Sequence, residues 1–532
     1  MRRWNGWGDE HVDYALPASA TPFLLQAVGP ATPPRDARLA DVVRSVPPSR
    51  LPPHPLVSTE PVERLLHARG QSLPDWIALR SGCIAAFPDG VAYPITNAQV
   101  RSLLEYAERV EAHVIPYGGG TSVVGHVNAL PGDAPVLTVD LQRMNRLLDL
   151  DEVSQVATFG AGVLGPDLEA QLRVHGLTLG HFPQSFELST LGGWIVTRSN
   201  GQQSLGNGRI EAMFAGGRLE SPAGTLTLPA FPASAAGPDL REMVLGSEGR
   251  LGILTEASVR VRPLPEVEEF RAVFFPDFRH GHEAVREMMQ ARLALSMLRL
   301  STDLETETTL ALAGHKRLIH LLKGWLRLRG IGDERSMLIV GLAGNEASVS
   351  LARQQALAVA GNYGGVDMGV LLGNQWRKGR FHTPYLRNTL WEAGYALDTL
   401  ETATHWDNIR RMVGVIERAL CFGLQDIGER VLAFSHLSHT YPSGSNIYTT
   451  YLYRIPESGN PQETLRRWRV LKAVASKAIL AAGGTITHQH GIGTDHLAYL
   501  PDEKGVLGIA ALRDLCKRFD PAGIMNPRKL IA

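Results

Sequence analysis

The feature that most restricts this chain is a run of three glycines, Gly118 to Gly120, within HVIPYGGGTSVVGHV. Glycine permits positive φ and close backbone approach, and successive exposed N–H groups form an anion-binding nest. The run follows a helix-periodic stretch, ITNAQVRSLLEYAERV, and a β-like HVIPY; two more β-like stretches, APVLTVDL and QVATFGAGVL, come after it. Strand, helix, strand and glycine loop in that order is an α/β arrangement. The loop has no lysine, unlike the phosphate loop G-x-x-x-x-G-K-[ST], and Val123 stands where G-x-G-x-x-G needs its third glycine. From its own residues the stretch is either an ordinary turn or an anion site of another kind.

The 532 residues suffice for roughly three or four units with a sizeable core. With 53 basic against 53 acidic residues, nucleic acid and anionic membrane are poor candidates for the main partner. No run approaches the ~18 apolar residues of a spanning helix, so a soluble chain is expected. Cys83, Cys421 and Cys516 lie far apart, which supports neither a disulfide framework nor a thiolate metal site. The start, MRRWNGWGDEHVDYALP, lacks an apolar segment after its arginines. No signal peptide is expected, and the expected location is cytoplasmic.

Four regions are expected. Residues 1–85 form a Pro-rich arm with short helical patches. Residues 86–265 carry the glycine-dense stretches and end where ILTEASVRVRPLPE meets Pro263 and Pro265. Residues 266–435 alternate FRAVFFPDF, HGHEAVREMMQARLA and SMLIVGLAG, an α+β rhythm, and residues 436–532 close the chain with its densest tyrosines and histidines. The basic, amphipathic HKRLIHLLKGWLRLRG is read first as a solvated helix face, with contact to a membrane surface as the alternative.

The tightest histidine group is THQHGIGTDHLAYLP, with His488, His490 and His496. On a strand, alternation would put His488 and His490 on one face. Two imidazoles bind a metal or handle a proton; with no acidic or Cys ligand nearby in sequence, acid–base work or anion contact is favoured and no metal is assigned. In FSHLSHTYPSGSNIYTTYLYR, Tyr448 follows a Gly-Ser-Asn turn and is preferred as a reactive hydroxyl over Tyr451 and Tyr453, which read as packing. Arg299 and Arg387 stand among apolar neighbours, either as snorkelling stems or as forks for a carboxylate or phosphate. Neither G-x-S-x-G nor H-E-x-x-H is present, and hydrolase chemistry drops out.

Taken in order, PYGGGTS, HFPQSFELSTLGGWIVTRSNGQQSLGNG and GSEGRLGILTEASVRVRP resemble the FAD-binding domain of the vanillyl-alcohol oxidase superfamily. Within it the chain is similar, almost end to end, to the alkyldihydroxyacetonephosphate synthase family, through RWNGWGDE, SMLRL, ETATHWDNI, SGSNIYTTYLY, GGTITHQHGIG and DPAGIMNPRKL. The resemblance implies an α+β fold: a two-part FAD-binding domain, an α+β cap or substrate domain, and helical terminal segments. It implies FAD against Pro116, Gly118, Gly119, Gly120, Thr121 and Ser122, with Pro183, Ser185, Ser189 and Thr190 lining the next stretch. Thr197, Arg198 and Ser199, then Glu248, Gly249, Gly252 and Ile253, complete that set. Thr121 and Ser122 stand in the loop where some members tether the flavin through a histidine, so non-covalent FAD is expected.

The implied reaction exchanges the acyl group of acyl-dihydroxyacetone phosphate for a long-chain alcohol without net oxidation. Tyr448 would transfer the proton, Arg299 and Arg387 would contact anions, and His488 and His490 would act as acid–base or orienting groups. Gln489 replaces the middle histidine of the family's triplet. With His436 and His439 it leaves an alternative open, an FAD-linked oxidation of a D-2-hydroxy acid or related alcohol. A flavin-binding protein without turnover is the third reading. The implied partners are a lipid-like or hydroxy-acid small molecule and a second copy of the chain in a homodimer, with no nucleic acid.

Overall fold

The computed structural model describes residues 2–312 and 316–532. The half in which FAD binding is expected holds two sheets. In the first, the strands Val57–Ser58, Gly90–Ala92, Val136–Asp140 and His113–Tyr117 lie in that order, the last three mutually parallel. The helix Asn97–Arg109, with Thr96 accepting from Gln99 N–H as its N-cap, leads into His113–Tyr117. The glycine loop leaves the carboxyl end of that strand, where open parallel sheets place ligands.

The second sheet is antiparallel, ordered Leu147–Asp151, Val156–Gly160, Ile253–Arg260, Phe214–Ser221 and Gly224–Leu228. In Ile253–Arg260 the odd-numbered residues are buried, as the alternation of ILTEASVR predicts. Phe159, Leu168, Trp194, Phe214 and Val259 are among the residues forming its core.

The cap is one larger antiparallel sheet. Its order is Val366–Asp367, Val267–Phe275, Ser336–Gly344, Met297–Ser301, Leu432–Leu437, Gly444–Arg454 and Tyr395–His405, with the short Thr440–Tyr441 paired to Gly444–Arg454. Helices Phe278–Gln290, Glu346–Asn362, Ile409–Phe422 and Pro461–Ala481 contribute apolar residues to the large core beside it.

A division at 435/436 would cut through the strand Leu432–Leu437, and the sheet runs on to Arg454. The non-local pairing of that strand with Met297–Ser301 is what the local pattern could not reveal. The chain then returns to the half that holds the first two sheets: Cys516 joins its core and Met525 bridges to Val114. The N-terminal arm is tied to the cap, with Trp7 and Trp76 in the cap core and Leu24 and Val28 against Leu390 and Tyr395.

Candidate active site

Ser301, His436, Tyr448 and Glu401 are successive cross-strand partners on four neighbouring strands. Residues directly opposite one another share a face of the sheet. Arg299, Thr399, His436 and Tyr448 line one cavity of about 680 Å³, which reaches the glycine loop on its other side. The cap sheet is thus the ceiling of a space whose floor is the half that carries the glycine loop.

Tyr448 lies within the strand Gly444–Arg454, because Gly444, Ser445 and Asn446 are themselves strand residues and not a free turn. Its hydroxyl donates to Thr399 Oγ1 at 3.1 Å. Its ring stacks on His436 at 5.1 Å between centroids and meets His490 edge-on at 5.6 Å. Burial, followed by the nearby Glu401 and Asp398 charges, pushes the phenol well above its ordinary value. It is therefore a neutral hydroxyl at physiological pH, donating to Thr399. Tyr451 and Tyr453 are buried, bonded to Asp398 and to the Thr464 carbonyl, and do pack as expected.

His488 and His490 do not lie on a strand. Residues 487–493 form an irregular loop shaped by two carboxylates: Glu401, which sequence reading missed, and Glu248, which the resemblance placed only against the cofactor. Glu401 Oε1 accepts the backbone N–H groups of His488 at 3.0 Å, Gln489 at 2.7 Å and His490 at 2.8 Å, and the Thr487 hydroxyl at 2.9 Å. Glu248 accepts from Ile492 N–H at 2.6 Å and Gly493 N–H at 2.8 Å. Burial would raise the Glu401 carboxyl, but the His490 and His488 rings and the loop amides hold it well below the carboxylate range.

The geometry brings His490 to the cavity with Gln489 and His439, while His488 sits one layer behind, its Nε2 2.6 Å from the Tyr441 hydroxyl. His439 stacks on His488 at 5.3 Å, and burial together with the neighbouring imidazole keeps it well below its ordinary value. His496 turns away to the Gly491 carbonyl at 2.9 Å.

The two arginines differ. Arg299 is committed internally: Nη2 reaches Glu305 Oε1 at 2.6 Å and His436 Nδ1 at 3.2 Å, and Nη1 reaches the Ser301 hydroxyl at 3.1 Å. Burial would raise Glu305, yet Arg299 and His436 hold its carboxyl down at about 2. Arg387 donates from Nη1 to the Gln71 carbonyl at 2.5 Å and lies 4.4 Å from the Trp76 ring centre, while its Nε and Nη2 are buried without partners beside the cavity. A guanidinium with two buried nitrogens left without acceptors is costly, and an anionic ligand resolves it. A third cavity arginine, Arg380, packs against Phe182 and Phe381, and burial brings it down to about 10.

The floor fits a dinucleotide cofactor. Among the described residues, none of the backbone N–H groups from Gly118 to Ser122 finds an acceptor, and this loop lines the cavity. Five adjacent free donors suit a pyrophosphate. The glycines also answer to their own packing: a Cβ at Gly119 would meet the Leu188 carbonyl at 1.6 Å, and Gly120 has φ +63°. Asn200 Oδ1, Gln489 Oε1 and Asn526 Oδ1 are buried, unpartnered and also at the cavity.

Of the residues implied for the cofactor, Pro116, Thr121, Ser122, Pro183, Ser185 and Ser189 line the cavity, as do Thr190, Thr197, Ser199, Glu248, Gly249 and Gly252. Arg198 and Ile253 do not: Arg198 turns to Glu242 at 2.5 Å, and Ile253 is fully buried in the core of the first sheet. Glu248 and Asn526 have positive φ, 52° and 39°, strain that clusters at binding sites. Asn526 follows the DPAGI turn, and its signal was the DPAGIMNPRKL ending alone.

Comparison with known proteins finds the profile "FAD linked oxidases, C-terminal domain" over residues 264–530 and "FAD binding domain" over 88–228. The chain is 30% identical over 475 residues to an alkyldihydroxyacetonephosphate synthase of Dictyostelium discoideum, covering 88% of this chain and 77% of that one. It superposes on a crystal structure of an alkyldihydroxyacetonephosphate synthase with a TM-score of 0.84 at 26% identity, over 99% of both chains. It is also 25% identical to a mitochondrial cytochrome-linked D-lactate dehydrogenase of Arabidopsis thaliana, over 84% of this chain and 73% of that one.

Proposed function

The chain belongs to the alkyldihydroxyacetonephosphate synthase family of FAD-linked oxidases, and from that premise we propose that it exchanges the acyl group of acyl-dihydroxyacetone phosphate for a long-chain alcohol. The carrying observation is one continuous cavity that joins the free amides of the glycine loop, the unpaired Arg387 and an apolar stretch of the cap sheet bearing Met297, Met337, Ile339 and Phe434. A cofactor pyrophosphate, a phosphate-bearing head and a hydrocarbon chain need those three surfaces together.

What FAD supplies when bound is a nucleophilic ring nitrogen able to exchange one carbon substituent for another with no net electron transfer. The chain's own residues do the rest. Arg387 binds the anionic head. Tyr448, hydrogen-bonded to Thr399, moves the proton that leaves and returns at the dihydroxyacetone carbon. His490, held at its backbone by Glu401, borders Tyr448, and Leu16, Phe23, Leu390 and Leu452 exclude water from the hydrocarbon. FAD is held without a covalent bond in this reading, since Thr121 and Ser122 stand in the loop where a tethering histidine would be.

We further infer peripheral contact with a lipid surface. No helix among the described residues is long and apolar enough to cross a membrane. In the helix Lys316–Leu328, however, Leu318, Leu321 and Leu328 are 65%, 67% and 86% exposed beside Arg317 and Arg327, the composition of an interfacial helix. The segment marked in the sequence starts at His315, which lies outside the described residues.

An anaerobic titration tests the proposal against the oxidative alternative favoured by His436, His439 and the D-lactate dehydrogenase likeness. Supplied with palmitoyl-dihydroxyacetone phosphate and hexadecanol, the protein releases palmitate with no electron acceptor present. Lasting bleaching of the flavin by D-lactate or D-2-hydroxyglutarate, recovered by a dye, would replace this reading with a dehydrogenase.

A further inference from the structure

Behind the cavity wall, a chain of hydrogen bonds has one consistent direction. The Tyr441 hydroxyl oxygen receives Arg209 Nη1 at 3.2 Å and Asn200 Nδ2 at 3.3 Å, and it lies 2.6 Å from His488 Nε2. Arginine offers only donors, so the single Tyr441 proton goes to His488, whose Nε2 accepts it. The His488 proton then resides on Nδ1, which faces Glu401 Oε2 at 3.5 Å as an electrostatic contact rather than a closed hydrogen bond, and neither atom has a hydrogen-bond partner. Oε1 of the same carboxylate is already taken by the loop amides.

With the Asn200 amide turned over, its Oδ1 would claim the Tyr441 proton and His488 would donate from Nε2. A bare Nδ1 lone pair would then face a buried carboxylate oxygen at 3.5 Å, replacing an attractive N–H to carboxylate contact by a repulsive one. The charge on Glu401 therefore selects the orientation at the far end, where Asn200 Oδ1 is left buried, unpartnered and at the cavity. We propose that Glu401 is a positioning residue that acts through His488 and Tyr441 to present the Asn200 carbonyl, as an acceptor, to an N–H group of the FAD ring system. The inference rests on FAD binding and not on which substrate is turned over.

The test is made on the full chain with ¹⁵N-labelled histidine. His488, identified by the signal lost in His488→Asn, carries its proton on Nδ1, and Glu401→Gln, whose amide turns a donor toward Nδ1, moves it to Nε2. Because this readout needs no cofactor, its failure overturns the relay alone, whereas colourless protein would overturn FAD binding. In parallel, Glu401→Gln, Tyr441→Phe and Asn200→Leu each raise the Kd for FAD about tenfold, the scale of one buried hydrogen bond. Combining Glu401→Gln with Tyr441→Phe adds nothing further, because both break one chain. An unmoved His488 proton, or effects on Kd that multiply, overturns the proposal. Should Glu401→Gln fail to fold, Tyr441→Phe and Asn200→Leu decide it: unchanged Kd in both overturns it, and a tenfold rise in each that does not compound supports it.

Discussion

At the scale of single residues, the ceiling of the cavity separates side chains that act from side chains that brace. Tyr448→Phe keeps the stacking on His436 but removes the hydroxyl. FAD content, read from the visible spectrum, should be intact while kcat falls by about two orders of magnitude, the usual scale of a positioned acid or base. Arg387→Met should act on KM for the phosphate-bearing substrate, raising it about ten- to a hundredfold, since it removes charge-assisted donors with no other partner. Glu305 braces. Its folded value of about 2 lies below its ordinary one, so its contribution is fully present above about pH 4.3 and is lost as pH falls toward 2. Glu305→Gln should lower stability by about 3 kcal/mol at pH 7, leaving the half-buried Arg299 without its carboxylate, and the gap from wild type should close in acid in urea-melt series. Tyr448 and Arg387 stood out in the sequence because a tyrosine-rich strand and a lone arginine are visible locally. Glu401 did not, because the amides it gathers lie 87 to 89 residues along the chain and nothing in ETATHWDNI marks one glutamate as their anchor.

At the scale of elements, the spacing of apolar residues served well, whether as alternation, as a helical period or as an unbroken apolar run. Ile253–Arg260, Ser336–Gly344 and the helix Asn97–Arg109 were all legible. The loop 487–493 was read in terms of strand alternation because two histidines at a spacing of two look like one face of a strand. Its actual shape comes from backbone N–H groups converging on carboxylates, a pattern with no side-chain period. The helix Lys316–Leu328 carries an element-level prediction. Leu318→Glu with Leu321→Glu should leave the melting temperature within a degree or two, since both side chains already face solvent, and should abolish flotation with anionic vesicles. Flotation undiminished in that double variant would remove the membrane contact.

At the scale of the whole molecule, the two halves are laced by the ends of the chain. The N-terminal arm reaches the cavity through Leu16 and Phe23, and the C-terminal tail returns to place Asn526 Nδ2 on the carbonyls of His126 and Glu248, at 3.2 and 2.7 Å. Removing residues 524–532 should therefore cost FAD retention on gel filtration while the cap core, which receives nothing from that segment, stays folded. The order of these segments was evident from sequence, whereas their meeting in space was not, since it depends on pairings such as Val114 with Met525. The loop 487–493 has a matching consequence for recombination. It is gripped from above by Glu401 and from below by Glu248, so it is the native property of neither half. A chimera that imports a foreign cap at the 265 junction inherits a loop fitted to its own upper carboxylate and must find a lower one already in register. Shuffling within such enzymes should succeed only when Glu248, Glu401 and the loop travel as one inherited cassette.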